Sequence, residues 1–185
     1  VSDYEYLVEP NVIIPKPELK RLQGALEELL ASRPVQYVLG YENFGGFRFN
    51  VCESVLIPRP ETEELVRMIQ HQWDSDRMSE LKILDLCTGS GCIAHTLAAY
   101  FRKSQVIGCD LSDDALKVAQ EQNISENRPL FFKWDVLAGP PDERDIASSS
   151  STLPDLEEVD ILVSNPPYVC EKERDFMSDN VLEYE

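Results

Sequence analysis

Positive charge is scarce in this chain: 17 Lys and Arg stand against 34 Asp and Glu, for a formal net charge of −17. That balance weighs against a nucleic-acid substrate, because a phosphate backbone calls for a basic face. A protein substrate suffers no such penalty. Histidine is scarcer still, with two residues, His71 and His95, each inside a predicted helix and each read as structural rather than catalytic. The five cysteines, at 52, 87, 92, 109 and 170, are odd in number and form no Cys-x-x-Cys pair, so neither a disulfide framework nor a zinc site is indicated and no metal is expected. A reducing, intracellular setting follows, either cytoplasm or mitochondrial matrix. No run of about 18 apolar residues is present and no signal or transit peptide is recognisable, which argues against a membrane role. Val1 is not an initiator Met, and the expectation is that the natural amino terminus lies further upstream.

What the chain does have is enough apolar material for one sizeable core, 43% of 185 residues, together with a series of strand-like runs that each end in polar chemistry. Lys82 to Leu86 reads as a buried strand, followed by Cys87-Thr88-Gly89-Ser90-Gly91 and an apolar helix from Cys92 to Phe101. Strand, glycine turn and helix in that order make a ligand cradle. Glycine permits positive φ and close backbone approach, and the helix start offers unpaired N–H groups. The turn is not a full dinucleotide fingerprint, since it lacks a third glycine and carries Cys87 where a first one is expected; nor is it a phosphate loop, since no Gly-Lys-Ser/Thr follows. A second strand, Gln105 to Cys109, ends in Asp110, near the roughly 20-residue offset from Asp85 at which an acid reaches ribose hydroxyls in dinucleotide-type folds. A third, Leu130 to Trp134, ends in Asp135. A weak phosphate nest combined with sugar-reaching acids suits a ligand that contains adenosine but no phosphate.

The fourth run, Val159 to Ser164, leads directly into Asn165-Pro166-Pro167-Tyr168. The Asn165 oxygen and a free backbone carbonyl can both accept hydrogen bonds from one NH2 group and fix its plane. Two prolines stop the strand and keep the Pro166 carbonyl out of any ladder, and Tyr168 adds a flat stacking face. Taken alone, the tetrapeptide is equally well read as a strand-ending turn.

Leu56-Ile57-Pro58-Arg59-Pro60-Glu61-Thr62-Glu63, Asp85 to Gly91, Asp110, Asp135 and Asn165 to Tyr168 together closely resemble the protein-(glutamine N5) methyltransferases that modify peptide-chain release factors. The resemblance runs from about Arg33 to the end, and Gln36 to Gly40 resembles the segment that joins that family's helical amino-terminal domain to its catalytic core. The Asn-Pro-Pro-Tyr motif is shared with nucleic-acid methyltransferases; the Pro-Arg-Pro-Glu-Thr-Glu segment is far more specific. The resemblance implies a doubly wound α/β core that uses S-adenosylmethionine. It implies that Cys87, Thr88, Gly89, Ser90 and Gly91 wrap the methionine part, Asp110 holds the ribose, Asp135 and Val136 border the adenine, and Asn165 also faces the cofactor. Asn165, Pro166, Pro167 and Tyr168 would bind the glutamine amide, with Asn165, Pro166 and Tyr168 as the catalytic set. Glu61 and Glu63 serve equally well as ordinary first-turn acids of a helix that carries Leu65, Ile69 and Trp73 on its apolar face, and Leu56 and Ile57 either floor the site or belong to the core.

The expected organisation is a helical segment at 1–43, the remnant of a substrate-docking domain, with Leu19, Leu22, Leu26, Leu29 and Leu30 on one face of a helix over 17–32. A hairpin linker at 44–57 and a methyltransferase core at 58–185 follow. Ala138 to Glu158, with its acids and serines, reads as a flexible loop. Related methyltransferases continue with more strands, so the core is expected to lack its last strands and to leave an edge exposed. The function expected is methylation of a glutamine side-chain amide in a translation release factor by a monomer, with no membrane or nucleic-acid partner. Two rivals stand beside it: an amino-group methyltransferase acting on adenine or guanine in nucleic acid, and an inactive cofactor-binding fragment.

Overall fold

A computed structural model of the chain describes residues 14–74, 78–141, 156 and 158–167. The first helix, α1 (Lys16–Leu30), opens with Pro17 and Glu18 in its first turn, where a missing N–H costs nothing and an acid meets the helix dipole. Its leucine face is present as expected, but none of its residues is buried among the described residues, and Leu30 is 78% exposed. A short α2 (Val35–Leu39) follows and stops at Gly40, whose φ of 78° only glycine adopts without strain. The buried Tyr37 anchors this segment by donating from its hydroxyl to the Val55 carbonyl at 2.8 Å.

The hairpin is built from β1 (Tyr41–Phe44) and β2 (Phe47–Asn50), joined at Gly45-Gly46 with both φ positive. It therefore begins before Phe44, and the division expected at 43/44 falls inside a strand. A Cβ at Gly45 would come within 2.6 Å of the Thr96 methyl, so the tip rests on the helix that carries Thr96 only because it has no side chain. Phe44 and Phe49 bury their rings edge to face at 6.1 Å. Helix α3 (Pro60–Gln72) starts with proline and the acids Glu61 and Glu63, and turns Leu65, Ile69 and Trp73 toward the main core.

The central sheet is parallel throughout, in the order β5-β4-β3-β6, with β3 (Lys82–Leu86), β4 (Gln105–Asp110), β5 (Leu130–Lys133) and β6 (Ile161–Ser164). Strand β5 stops one residue short of the expected Trp134, and β6 begins two residues after Val159. Helix α4 (Cys92–Tyr100) is buried almost all round, which suits its nearly unbroken apolar sequence, while α5 (Asp113–Glu121) is capped by the Ser112 hydroxyl accepting from the Ala115 N–H at 3.2 Å. One face of the sheet buries Ile83, Val106, Phe131, Ile161 and Val163 against Ile93, Leu97 and Ala98. The opposite face carries Leu84, Ile107, Cys109 and Phe132, in the alternation a strand imposes. From β3 the chain steps outward to β4 and β5, then crosses back to place β6 on the other side of β3. Such a reversal opens a crevice at the carboxyl ends of the two strands that flank it, here β3 and β6.

Candidate functional site

The turn after β3 is wound tightly: Cys87, Gly89 and Gly91 all have positive φ, at 58°, 54° and 77°. Cys87 thus occupies the conformation of the glycine that its position in the motif calls for. A Cβ on Gly89 would meet nothing within 4 Å, so the backbone there faces open space. Gly91 has the opposite reason to be glycine, because a Cβ would lie 3.0 to 3.2 Å from Ala119, His95 and Phe131.

Asp85 holds the turn from below. Its Oδ2 accepts from the Thr88 hydroxyl at 2.6 Å and from the Ala94 N–H at 3.2 Å, so a single carboxylate oxygen ties the turn to the first residues of α4. The side chain is fully buried, and its Oδ1 has no hydrogen-bond partner among the described residues. Burial pushes this carboxyl up to about 7, opposed by the hydrogen bonds from Thr88 and Ala94 and reinforced by the neighbouring Asp110.

Asp110 ends β4 beside the turn. Its Oδ2 accepts from the Gly89 N–H at 2.9 Å and its Oδ1 from the Ser112 N–H at 3.0 Å. It is not a helix cap, since Ser112 takes that role, and each of its oxygens retains a lone pair for a further donor. Asp135 is used more locally: its Oδ1 accepts from the Leu137 N–H at 3.0 Å and its carbonyl from the Ala138 N–H, an ordinary Asx turn. Val136 is half-buried and packs with Trp134 against the Leu84, Ile107 and Phe132 cluster. The Trp134 N–H donates to the Asp110 carbonyl at 3.0 Å, which keeps the ends of β4 and β5 together.

Across the crevice, the Ser164 hydroxyl donates to the Leu86 carbonyl at 3.0 Å and joins the ends of β6 and β3. Asn165 follows, half-buried, with its Nδ2 donating to Thr62 Oγ1 of α3 at 3.1 Å. Pro166 and Pro167 are exposed, and Tyr168 lies outside the described residues. Asn165, Thr62, Pro58, Arg59 and the turn residues Cys87 to Ser90 line one open cleft. Ile57, 2% exposed, and Leu56, 42% exposed, also border it, so the first belongs to the core as well as to the cleft wall. Burial, with Asp110 nearby, pushes the Cys87 thiol up, so it stays protonated and serves as a neutral surface.

The cleft therefore brings Cys87 to Ser90 together with Asn165 directly and Asp110 through Gly89, while Asp135 and Val136 lie further along the strand ends. His71 is exposed on α3. His95 lies buried between the rings of Phe49 and Phe131, with Nε2 2.9 Å from the Ala119 carbonyl. Thr62, Ser164 and Asp85 join the site through contacts that their positions in the sequence do not announce. In the sequence Thr62 is marked only by its place between the two acids of a helix start; its burial belongs to the fold.

Residues 83–163 match the family described as "Methyltransferase domain". The matched residues span the sheet β3 to β6 with α4 and α5, an α/β core similar to that family's domain. The chain is 38% identical over 182 residues to the release factor glutamine methyltransferase of Flavobacterium psychrophilum, covering 98% of this chain and 60% of that protein. It is 39% identical over 173 residues to the protein of the same name from Lactococcus lactis subsp. lactis, covering 93% of this chain and 57% of that one. It thus spans about 60% or less of the length of these relatives. Among solved structures, the human methyltransferase 10 domain containing protein aligns with a TM-score of 0.45 at 17% identity, over 85% of this chain and 65% of that chain, a likeness too distant to add to the sequence matches. No helix of the described residues is long and apolar enough to cross a membrane.

Proposed function

We propose that this chain, whose residues 83–163 match a methyltransferase domain, is part of a protein-glutamine N-methyltransferase that transfers a methyl group from S-adenosylmethionine to the side-chain amide nitrogen of a glutamine in a peptide-chain release factor. The observation that carries this reading is the placement of the Asn165 amide in the same cleft as the glycine turn, so that an amide binder and a cofactor cradle share one space.

The residues present fit the cofactor. Open space over Gly89, the positive φ of Cys87 and the spare lone pairs of Asp110 suit a ligand that lies along the strand ends with ribose hydroxyls at Asp110. Cys87 to Gly91 would hold its methionine part, and Asp135 and Val136 would border its adenine. When bound, the cofactor supplies a methyl group already activated on a sulfonium.

The protein's own part is alignment. An amide nitrogen is a poor nucleophile because its lone pair is delocalised, and the site has to supply orientation, desolvation and polarisation rather than a strong base. Asn165 Oδ1 and the Pro166 carbonyl accept from the two N–H groups of the glutamine amide, which fixes its plane and draws electron density onto nitrogen. Pro166 and Pro167 keep that carbonyl free of ladder bonds, and the family resemblance gives Tyr168, outside the described residues, the role of stacking on the amide. The proton leaves to solvent after transfer, when the nitrogen is more acidic, so no histidine is needed. A net charge of −17 favours a protein substrate over a phosphate backbone.

The direct test is mass spectrometry of candidate release factors after incubation with the full-length protein and S-adenosylmethionine. One added methyl on a glutamine side chain supports the reading. No transfer to any release factor, with methylation of an adenine or guanine amino group in nucleic acid instead, overturns it.

A further inference from the structure

We propose that Thr62 is a positioning residue for the reaction: its hydroxyl oxygen holds the NH2 end of Asn165 so that Oδ1, at the other end of the same planar group, faces the substrate amide. The inference rests on the amide-binding reading of Asn165. The two residues are 103 positions apart and come from different elements, yet Asn165 Nδ2 lies 3.1 Å from Thr62 Oγ1 and both line the same cleft. Thr62 is 7% exposed in the first turn of α3, and a hydroxyl buried there calls for a hydrogen-bond partner.

The chemistry needs such a partner. An asparagine amide turned by half a rotation exchanges its acceptor for its donor with almost no change of shape. In one orientation it accepts from a glutamine NH2. In the other it confronts that NH2 with a second one and instead suits a carboxylate. A hydroxyl oxygen that accepts from Nδ2, with its own proton turned away, favours the first orientation, so Thr62 contributes to preference for an amide over an acid as well as to rate. The Pro-Glu-Thr-Glu helix start is thereby more than a favourable first turn, because it delivers this oxygen to the back of Asn165.

The experiment measures methyl transfer by the full-length protein to a release-factor protein, with cofactor affinity measured by calorimetry on the same variants. Thr62→Val keeps the branched shape and removes the acceptor. It is expected to lower kcat about 10- to 100-fold, the loss that follows from misplacing a reacting group, while cofactor affinity stays within about twofold. Thr62→Ser restores most of the rate. Added to Asn165→Ala, Thr62→Val costs nothing further, because the group it orients is gone, whereas a merely structural Thr62 would lower both backgrounds equally. Should Thr62→Val not fold, Thr62→Ala and Thr62→Ser, which differ only in the hydroxyl oxygen, make the same comparison. Wild-type turnover in Thr62→Val with Asn165→Ala impaired overturns this inference alone. Wild-type turnover in Asn165→Ala overturns the amide-binding reading and this inference with it.

Discussion

The Gly89 N–H donates to Asp110 Oδ2 at 2.9 Å, so the turn after β3 and the acid at the end of β4 form one unit. The acid is oriented before any ligand arrives, with Ser112 fixing its second oxygen at 3.0 Å. Such preorganisation reduces the entropy that binding would otherwise cost.

Asp110→Ala is expected to weaken S-adenosylmethionine binding by about 1.5–3 kcal/mol, the range for hydrogen bonds to a charged acceptor, while the fold remains. Asp110→Asn retains one acceptor and loses less. Calorimetry that finds unaltered affinity in a folded Asp110→Ala variant removes this residue from the site.

Cys87 provides a separate test of the turn. Its φ of 58° is a conformation in which a residue with a Cβ is disfavoured by about 1–2 kcal/mol, and a β-branched one by more. Cys87→Gly should therefore leave stability within about 1 kcal/mol of wild type, because relief of strain is offset by greater freedom of the unfolded chain. Cys87→Val should lower the melting temperature and weaken cofactor binding. Equal melting temperatures for the valine and glycine variants would show that the turn relaxes freely.

Much of this was legible in the chain. The short apolar runs Lys82 to Leu86 and Gln105 to Cys109 read as strands because burial on both faces leaves little room for polar residues. Cys87 marked itself by standing where a glycine is expected, and its φ explains why. The limits are equally physical. The leucine periodicity of α1 defines a face but not what covers it, and that face is exposed among the described residues. The link between Asn165 and Thr62 is invisible because no local pattern couples residues 103 positions apart. Asp85 sits in a strand like any other residue of that run, and its role emerges only when Thr88 and Ala94 fold back onto it.

Gln122 also looks like a surface residue in sequence, yet it is 2% exposed. Its Nε2 donates to the carbonyls of Asn50 at 2.9 Å and Ser90 at 3.3 Å, and its Oε1 accepts from the Asn50 N–H at 3.0 Å, which joins the hairpin to the glycine turn. Gln122→Ala strands the buried Ser90 carbonyl, whereas the groups of the exposed Asn50 can turn to water, so it should cost about 1–3 kcal/mol in urea unfolding. Gln122→Glu keeps the acceptor but loses both donated bonds and buries a charge, so it should be at least as destabilised. An alanine variant as stable as wild type would mean that water replaces the amide without loss.

The final prediction concerns pH. Asp85 is raised from 3.8 to about 7 in the folded state, mainly by burial. A carboxyl with a higher folded than unfolded pKa binds more protons when folded, so between about pH 4 and 7 its contribution to stability falls as pH rises, and above that it is constant. The shift corresponds to about 4 kcal/mol across the window, at 1.36 kcal/mol for each pKa unit. His95 is pushed below 6.5 by burial and gives the opposite slope in the acid range, because the unfolded chain binds its proton more readily. The informative quantity is therefore the difference between wild type and Asp85→Asn, in which His95 cancels. Asparagine cannot ionise and its oxygen can still accept from Thr88 and Ala94, so this variant should gain on wild type from about pH 4 to pH 7 in urea denaturation and hold a constant advantage above that. Parallel curves for the two proteins over that range would mean that Asp85 titrates outside it, and that its buried oxygens are better satisfied than the geometry indicates.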